Sequence, residues 1–192
     1  PLTDAFSWLD TRMTTEAEQV YGKLDPEAVR NISGWPYIPS FPLAHLAWTK
    51  VHAPSIIDKA KMICMSADYI NYRLTGKWAI DPSTATTFYL ANQRTGKWQK
   101  PLLDALGITE DKLPKLMPTG TPIGHITETA AKETGLTEKC IVVLGAFDHP
   151  TGARGAGVIK EGQLLISCGT SWVCFVPLND RSKIIKERLL CD

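Results

Sequence analysis

The sequence predicts an α/β protein, because helix signals fill most of its first two thirds and strand signals its last third. Its 192 residues are 44% hydrophobic and 21% charged, the balance of an ordinary globular domain able to bury a core. The unbroken apolar run 140–145 is typical of a strand in a parallel sheet, buried on both faces. Residues 163–168 and 172–176 predict two more strands, joined as a hairpin by Gly169-Thr170-Ser171.

Charge and cysteine usage exclude several classes of protein. Lys and Arg number 21 and Asp and Glu 20, so the net charge is +1, which without basic clusters argues against nucleic acid and anionic membranes as partners. The longest strongly apolar run, 141–147, is too short to cross a bilayer, and no secretory signal is visible. The 5 scattered cysteines, without a CxxC pair, predict reduced thiols and a cytoplasmic protein.

The first third reads as helices separated by loops. Thr14 begins a helix with an acidic first turn, and three prolines and a glycine make residues 33–42 a loop. Apolar residues at helical spacing predict a helix over 43–51. Pro54 suits the first turn of the next helix, which we expect to continue over 55–62.

The middle third mixes helices with short extended segments. Ser66 is predicted to cap a helix over 66–74, and residues 78–80 to form a short strand. Asp81-Pro82-Ser83-Thr84 has the composition of a turn. Two further predicted helices, each followed by a glycine, are 98–106 and 127–134.

Asp148 is the most suggestive residue for chemistry. It follows the predicted strand 140–145, and open α/β sheets bind their ligands at the carboxyl ends of strands. A carboxylate held there by rigid structure is a candidate general base. The alternative is a structural role, in which Asp148 caps a helix that begins near Pro150.

Gly169-Thr170-Ser171 is the second candidate, because such a turn offers backbone N–H groups and two hydroxyls to phosphate oxygens. The alternative is a plain hairpin turn. An acid that accepts a hydroxyl proton and a donor-rich turn that holds phosphate are together what phosphoryl transfer requires.

Trp8, Asp10 and Arg12 form the third candidate. A tryptophan offers a flat apolar face to a sugar ring, and Asp or Arg side chains bind its hydroxyls through charge-assisted hydrogen bonds. The alternative is a core tryptophan beside a surface Asp–Arg pair. The 4 histidines lack the spacing of a helical zinc motif, so we expect no metal site built from protein side chains.

Many short motifs of this sequence occur in one order along the chain, from Trp8 to about Val176. They are Trp8-Leu9-Asp10-Thr11-Arg12, Asp68-Tyr69-Ile70, Arg73-Leu74-Thr75-Gly76, Asp81-Pro82-Ser83-Thr84-Ala85, Trp98, Leu106-Gly107-Ile108, Leu113-Pro114, Gly124, Ala130-Ala131, Thr134-Gly135-Leu136, Gly145-Ala146-Phe147-Asp148-His149, Gly155-Ala156-Gly157, Gly162 and Gly169-Thr170-Ser171. In this order they resemble the middle of the FGGY family of carbohydrate kinases.

The resemblance implies an incomplete ribonuclease-H-like, actin-like ATPase fold, in which two α/β domains enclose the active site. It implies transfer of the γ-phosphate of MgATP to a hydroxyl of a sugar or polyol, of the pentulose, polyol or aldonate class. By the same match, Asp148 is the catalytic base, and Gly169, Thr170 and Ser171 contact ATP. The implied substrate-binding residues are Trp8, Asp10, Arg12 and His149.

The resemblance also divides the chain. Residues 1–157 correspond to the latter part of the N-terminal, sugar-binding domain and residues 158–192 to the beginning of the C-terminal, ATP-binding domain. The family's Asp-x-Gly-Thr phosphate loop and its adenosine-binding region are absent from the sequence. We therefore expect a fragment that does not turn over alone, because phosphoryl transfer depends on positioning ATP and its metal.

The expected cofactors are ATP and Mg²⁺, and the expected partner is a small-molecule sugar or polyol, with no nucleic acid or membrane partner. Assembly into a homo-oligomer is compatible with this interpretation. Two alternatives remain open: a non-catalytic sugar or nucleotide sensor on the same fold, and a metal-dependent hydrolase that uses Asp148 and a histidine.

Overall fold

The computed structural model describes residues 1–186 and 189–191. The predicted second domain therefore includes three residues that lie outside the described ones, namely Glu187, Arg188 and Asp192. The helices of the described residues are α1 (Thr14–Tyr21), α2 (Pro26–Ser33), α3 (Pro42–His52), α4 (Pro54–Lys59), α5 (Ser66–Thr75), α6 (Pro82–Thr86), α7 (Lys100–Leu106), α8 (Glu128–Thr134), α9 (Asp148–Gly155) and α10 (Arg181–Lys186), with a short 3-10 helix at Glu110–Lys112. The strands are β1 (Ala79–Ile80), β2 (Ala91–Asn92), β3 (Lys97–Trp98), β4 (Lys115–Leu116), β5 (Pro122–His125), β6 (Ile141–Val143), β7 (Leu165–Cys168) and β8 (Trp172–Phe175).

Most predicted helices are confirmed, and their ends follow the local chemistry. α8 begins where the Thr127 hydroxyl accepts the N–H of Ala130 at 3.2 Å, and it ends at Gly135. Gly135 has φ +76°, a left-handed conformation that glycine adopts without strain. Helix α2 was not predicted, although Asp25 accepts the N–H of Glu27 at 3.0 Å and a proline opens the first turn.

Two predictions at helix starts are wrong. Asp81-Pro82-Ser83-Thr84 does not form a simple turn, because the Asp81 carboxylate accepts the N–H of Thr84 at 2.9 Å and so starts α6. Ser66 does not cap α5. Instead, the Asp68 carboxylate accepts the N–H of Met65 at 2.9 Å, which makes Met65 the residue that precedes the helix.

The described strands form four separate two-stranded sheets. β1 and β4 are parallel, whereas β2–β3, β5–β6 and β7–β8 are antiparallel. The hairpin β7–β8 confirms the predicted strand–turn–strand unit. The other three pairs bring together short segments that carry too few residues for a clear alternating pattern.

The run 140–145 differs from its prediction. It forms β6, which pairs antiparallel with β5, and Ile141 and Val143 are exposed. Val142 points to the opposite face, because side chains alternate along a strand, and packs on a small buried cluster that includes Leu144. Both faces of β6 are apolar as predicted, but the described residues cover only one of them.

The main core lies in the first two thirds of the chain, between the α2–α3 region and the segment from β1 to residue 113. Buried aromatic rings fill its centre. Phe88 packs edge-on against Trp98 at 5.9 Å between ring centroids, and Trp35 packs edge-on against Phe147 at 5.6 Å. Phe147 immediately precedes Asp148, so the edge of this core supports the segment that carries the candidate base.

Asp68 is an unusual member of the buried set. Its side chain is fully buried, and its second carboxylate oxygen has no hydrogen-bond partner among the described residues. Burial raises the pKa of Asp68 to about 7, and the nearby Asp81 carboxylate adds to the effect. Asp68 in turn lies close enough to Cys64 to reinforce the rise that burial causes in the pKa of that thiol.

The described helices are also short and amphipathic. Across residues 1–186 and 189–191, every helix falls short of the length and apolar character that crossing a membrane requires.

Candidate active site

Asp148 is the first residue of α9, five residues beyond Val143 at the end of β6 and four beyond the buried Leu144. Its carboxylate is exposed, and its Oδ1 accepts the N–H of His149 at 2.8 Å. The residue that precedes α9 is Phe147, so the alternative prediction of Asp148 as the helix cap is wrong by one position. An exposed carboxylate on a helix start is available to a ligand and is favoured by the helix dipole.

The backbone on the N-terminal side of Asp148 is fixed by two neighbours. The N–H of Phe147 donates to the Ser83 hydroxyl, near the start of α6, at 3.1 Å. The ring of Phe147 packs against Trp35, in the loop between α2 and α3. Asp148 is therefore an exposed side chain on a backbone held by neighbouring residues, and a positioned backbone is what a proton acceptor needs.

His149, which was predicted as a substrate contact, directly follows the candidate base. It is half-buried, and its ring packs edge-on against Phe147 at 5.7 Å between centroids. The backbone N–H of His149, not its ring, donates the hydrogen bond to the Asp148 carboxylate. His149 thus stands beside the candidate base and orients it.

Gly169, Thr170 and Ser171 form the exposed turn between β7 and β8. The N–H of Gly169 donates to the Ser171 carbonyl at 3.3 Å, so this amide closes the turn. The Thr170 and Ser171 hydroxyls are exposed, and hydroxyls are suitable donors to phosphate oxygens. Strand β8 packs against α9, so the hairpin and the helix that begins at Asp148 are neighbours.

Asp10 and Arg12 form a close ion pair near the N-terminus. The Arg12 Nε donates to both Asp10 oxygens at 3.0 and 2.8 Å, and Nη2 lies 2.6 Å from Oδ2. These hydrogen bonds and the charge of Arg12 hold the pKa of Asp10 below its ordinary value. The surface Asp–Arg pair of the alternative prediction is present, but Trp8 is 62% exposed and is not a core residue.

Aromatic side chains of helix α3, which were not predicted as part of the site, lie beside this pair. The Arg12 guanidinium lies 5.5 Å from the centre of the Trp48 ring, within the range of a cation–π interaction. Trp48 stacks on His52 at 4.8 Å, and His52 Nε2 lies 2.6 Å from a Glu16 carboxylate oxygen. The three- and four-residue spacing of His45, Trp48 and His52 on one helix was the available signal.

His45 completes this group. Its ring stacks on Phe6 at 5.1 Å, and burial lowers the pKa of His45, although the Asp10 charge opposes the shift. Its Nε2 is buried and has no hydrogen-bond partner among the described residues.

The candidates fall into two groups. Asp148 and His149 begin α9, which contacts strand β8 of the hairpin that carries the 169–171 turn, whereas Asp10 and Arg12 lie near α3. Within the described ranges, no three His, Cys, Asp or Glu side chains approach one another as a metal-binding group would. All 5 cysteines are outside disulfides, as predicted, and Cys168 and Cys174 are exposed.

Comparison with known sequences gives a consistent result. Residues 1–155 match the FGGY family of carbohydrate kinases, N-terminal domain. The chain is 37% identical over 130 residues to the autoinducer-2 kinase of Klebsiella pneumoniae, a match that covers 68% of this chain and 24% of that protein. It is 30% identical over 188 residues to the xylulose kinase of Bacillus subtilis, covering 98% of this chain and 38% of that protein. The chain thus spans less than two fifths of these relatives.

Solved structures show the same likeness. The xylulose kinase of Rhodospirillum rubrum superposes with a TM-score of 0.76 at 29% identity, over 82% of this chain and 32% of that one. The gluconate kinase of Lactobacillus acidophilus superposes with a TM-score of 0.80 at 26% identity, over 88% and 34%. These matches confirm the predicted fold class, an incomplete ribonuclease-H-like, actin-like α/β fold.

Proposed function

The chain belongs to the FGGY family of carbohydrate kinases, and we propose that it is the part of such a kinase that carries the catalytic base, Asp148. The observation that carries this proposal is the exposed carboxylate of Asp148 on a firmly held backbone, beside the β7–β8 hairpin. The reaction proposed is ATP-dependent phosphorylation of a sugar or polyol hydroxyl.

Asp148 acts as the proton acceptor in this proposal. As the substrate oxygen bonds to the γ-phosphorus, its proton passes to the Asp148 carboxylate, and the bond from phosphorus to the ADP oxygen breaks. The hydrogen bond from the His149 N–H to Oδ1 keeps one oxygen oriented while the carboxylate takes the proton. When bound, ATP would supply the phosphoryl group, and Mg²⁺ would neutralise negative charge on the phosphates.

The turn 169–171 fits a phosphate group by its donor chemistry. Its two exposed hydroxyls lie on the hairpin that packs against α9. The proposed phosphate contacts and the proposed base are therefore carried by neighbouring elements. We propose that Gly169, Thr170 and Ser171 contact ATP. For Mg²⁺ the chain offers one exposed carboxylate here, Asp148, and other ligands would come from ATP and water.

On the substrate side, the exposed ring of Trp8 is proposed to stack on the carbon skeleton of the acceptor. Arg12 already engages both oxygens of Asp10, so this pair presents a fixed dipole to substrate hydroxyls. The proposed substrate is a pentulose, polyol or aldonate, and relatives named as a xylulose kinase and a gluconokinase support the pentulose and the aldonate. His149 is proposed to contact the same substrate from the side of the base.

The domain assignment completes the proposal. Residues 1–157 are proposed as part of the sugar-binding domain and residues 158–192 as the start of the ATP-binding domain. Because the chain spans 24% to 38% of the relatives described above, we propose that it does not turn over alone.

Replacement of the base tests the proposal. The test uses a longer polypeptide, in which these residues are joined to the Asp-x-Gly-Thr phosphate loop and the adenosine-binding region of the family. Asp148→Asn should lower the rate of ADP release by about 100-fold or more, since that is the usual contribution of a general base. Substrate binding, measured by calorimetry, should persist. The matched control is Glu138→Gln, an exposed carboxylate outside α9. Undiminished turnover of Asp148→Asn contradicts the proposal, and binding without any ADP release in the parent favours the sensor.

A further inference from the structure

The end of the chain is attached to the N-terminal half by a set of polar contacts. We call Arg181, on α10, together with residues 189–191 the strap. The Arg181 guanidinium donates from Nε to Gln93 Oε1 at 3.2 Å and from Nη2 to the Asn31 carbonyl at 2.8 Å. One side chain thus joins α10 both to the end of α2 and to the segment after β2.

Residues 189–191 bind to the same place through their backbone. The N–H of Cys191 donates to the Gly34 carbonyl at 2.9 Å, and Gln93 Nε2 donates to the Cys191 carbonyl. Arg30 Nη2 donates to the Leu189 carbonyl at 3.4 Å. Gln93 therefore accepts from one part of the strap and donates to the other, while Cys191 is buried with only 6% of its surface exposed.

The absence of a side chain at Gly34 makes this contact possible. It ends α2 with φ +78°, and a Cβ placed on it would lie 2.7 Å from the Cys191 carbonyl oxygen. Any side chain at this position would therefore collide with the strap. The pocket formed by Arg30, Gly34 and Gln93 accordingly fits an extended backbone at very close range.

The pocket is connected to the candidate base by direct contacts. Gly34 is bonded to Trp35, whose ring packs on Phe147, and Phe147 is bonded to Asp148. The N–H of Phe147 is also fixed by Ser83. Gly34, Trp35 and Phe147 thus form a continuous series of covalent and packing contacts from the pocket to Asp148.

We propose that the strap is a latch that holds the C-terminal part of the chain on the N-terminal part and, through Trp35 and Phe147, positions the backbone of Asp148. Two of its hydrogen bonds, from Arg181 to Asn31 and from Arg30 to Leu189, are exposed, and exposed hydrogen bonds open locally at low cost, so the latch is reversible. Only the catalytic meaning of Asp148 rests on the proposed function. The latch itself is tested without any measurement of kinase activity.

Thiol labelling of the 192-residue chain tests the latch. In the wild type, Cys191 should react with N-ethylmaleimide more slowly than the exposed Cys168 and Cys174, as read by peptide mass spectrometry. Arg181→Ala removes two donors, so Cys191 labelling should accelerate by about fivefold or more. Arg181→Lys, which keeps the charge but not the forked donor geometry, should restore only part of the protection. Lys183→Ala, an exposed change on the same helix, is the matched control and should have no effect.

Amide hydrogen exchange tests the connection to Asp148. If the latch positions the base, Arg181→Ala should also accelerate exchange at residues 147–149, which lie far from position 181 in the sequence. Unchanged exchange there, with Cys191 released, would overturn the coupling. Equal labelling of Cys191 and Cys168 in the wild type would overturn the latch itself.

A second variant keeps the test decisive if Arg181→Ala unfolds the chain, which faster labelling of the half-buried Cys64 would reveal. Gln93→Glu keeps the acceptor for Arg181 but removes the donor to the Cys191 carbonyl. It should release Cys191 while Cys64 stays protected. Protection of Cys191 unchanged in Gln93→Glu contradicts the latch.

Discussion

Phe88 and Trp172 are both large aromatic residues in an ordered part of the chain, but Phe88 is 1% exposed and Trp172 is 76% exposed. The difference extends to the regions around them. The buried hydrophobic residues of the described structure all lie at or before Ala153, apart from Cys191. The hairpin β7–β8 instead presents Ile166 and Trp172 to solvent.

The two regions are stabilised by different kinds of contact. The N-terminal region is held by side chains brought together from distant positions, whereas the hairpin is held by its own backbone ladder and its contact with α9. A lone two-stranded hairpin is only marginally stable in water, so these attachments matter more there than in the core. Local unfolding should therefore begin in the C-terminal region.

The largest expected effect comes from paired aromatic substitutions in the two regions. Phe88→Ala should lower the free energy of unfolding by about 4 kcal/mol, because it leaves a cavity beside Trp98. Trp172→Ala should change it by no more than about 0.5 kcal/mol. Urea unfolding followed by circular dichroism measures both. Equal losses of unfolding free energy in the two variants would show that the hairpin is part of the cooperative core, which would contradict the difference between the two regions.

The next effect concerns the buried carboxyl group in the N-terminal region. The pKa of Asp68 is about 7 in the folded chain, above the ordinary value of 3.8, so the folded form keeps the proton that the unfolded form releases. Between those two pH values the contribution of Asp68 to stability should fall as pH rises, by about 1.4 kcal/mol per pH unit. Asp81 and Cys64 are the titratable groups that face it.

Asp68→Asn checks this slope. Relative to the wild type, the variant should gain stability steadily from about pH 4 to about pH 7, as measured by urea unfolding at several pH values. Asp104→Asn, an exposed carboxyl group on α7, is the control and should show no such trend. A constant difference between Asp68→Asn and wild type across this range would contradict the raised pKa.

The smallest effect is at the exposed ion pair. Arg12→Gln should raise the pKa of Asp10 towards its ordinary value, because Arg12 supplies the hydrogen bonds and charge that lower it. The stability that this depressed pKa provides is present above the unfolded-state value and is lost as the pH falls. Carboxyl carbon NMR titration measures the shift. Lys100→Gln, which breaks the ion pair with Asp104 instead, should leave Asp10 unchanged.

The sequence was a good guide where the signal is local. Thr127 and Gly135 bound α8 as predicted, and Gly169-Thr170-Ser171 joins the predicted hairpin. Both features depend on residues within a few positions of one another, so no distant contact decides them.

The sequence was a poor guide where distant contacts decide. The apolar run 140–145 indicated a strand with two buried faces, but whether a face is covered depends on the neighbours of β6, which a pattern does not reveal. On α3, the apolar spacing drew attention to residues 43–51, although Val51 is exposed. The face that meets Arg12 carries Trp48 and His52, whose role emerges only when α1 packs beside α3.

For the candidate site, the sequence predicted the accessible carboxylate of Asp148 and the exposed turn at Thr170. It did not predict that Phe147 would be held by Ser83 and Trp35, because those residues are 64 and 112 positions away. Residue types thus predict which groups of a site can react, whereas the packing contacts that position those groups cannot be predicted from them.

The uncovered side of β6 has a practical consequence for handling this polypeptide. Ile141 and Val143 form a short row of β-branched side chains, and in the described part of the chain the strand pairs on one edge only, with β5. Such an edge is a template on which other molecules add strands, so concentrated samples carry an aggregation hazard. A lysine in place of Ile141 would act as a gatekeeper against that growth.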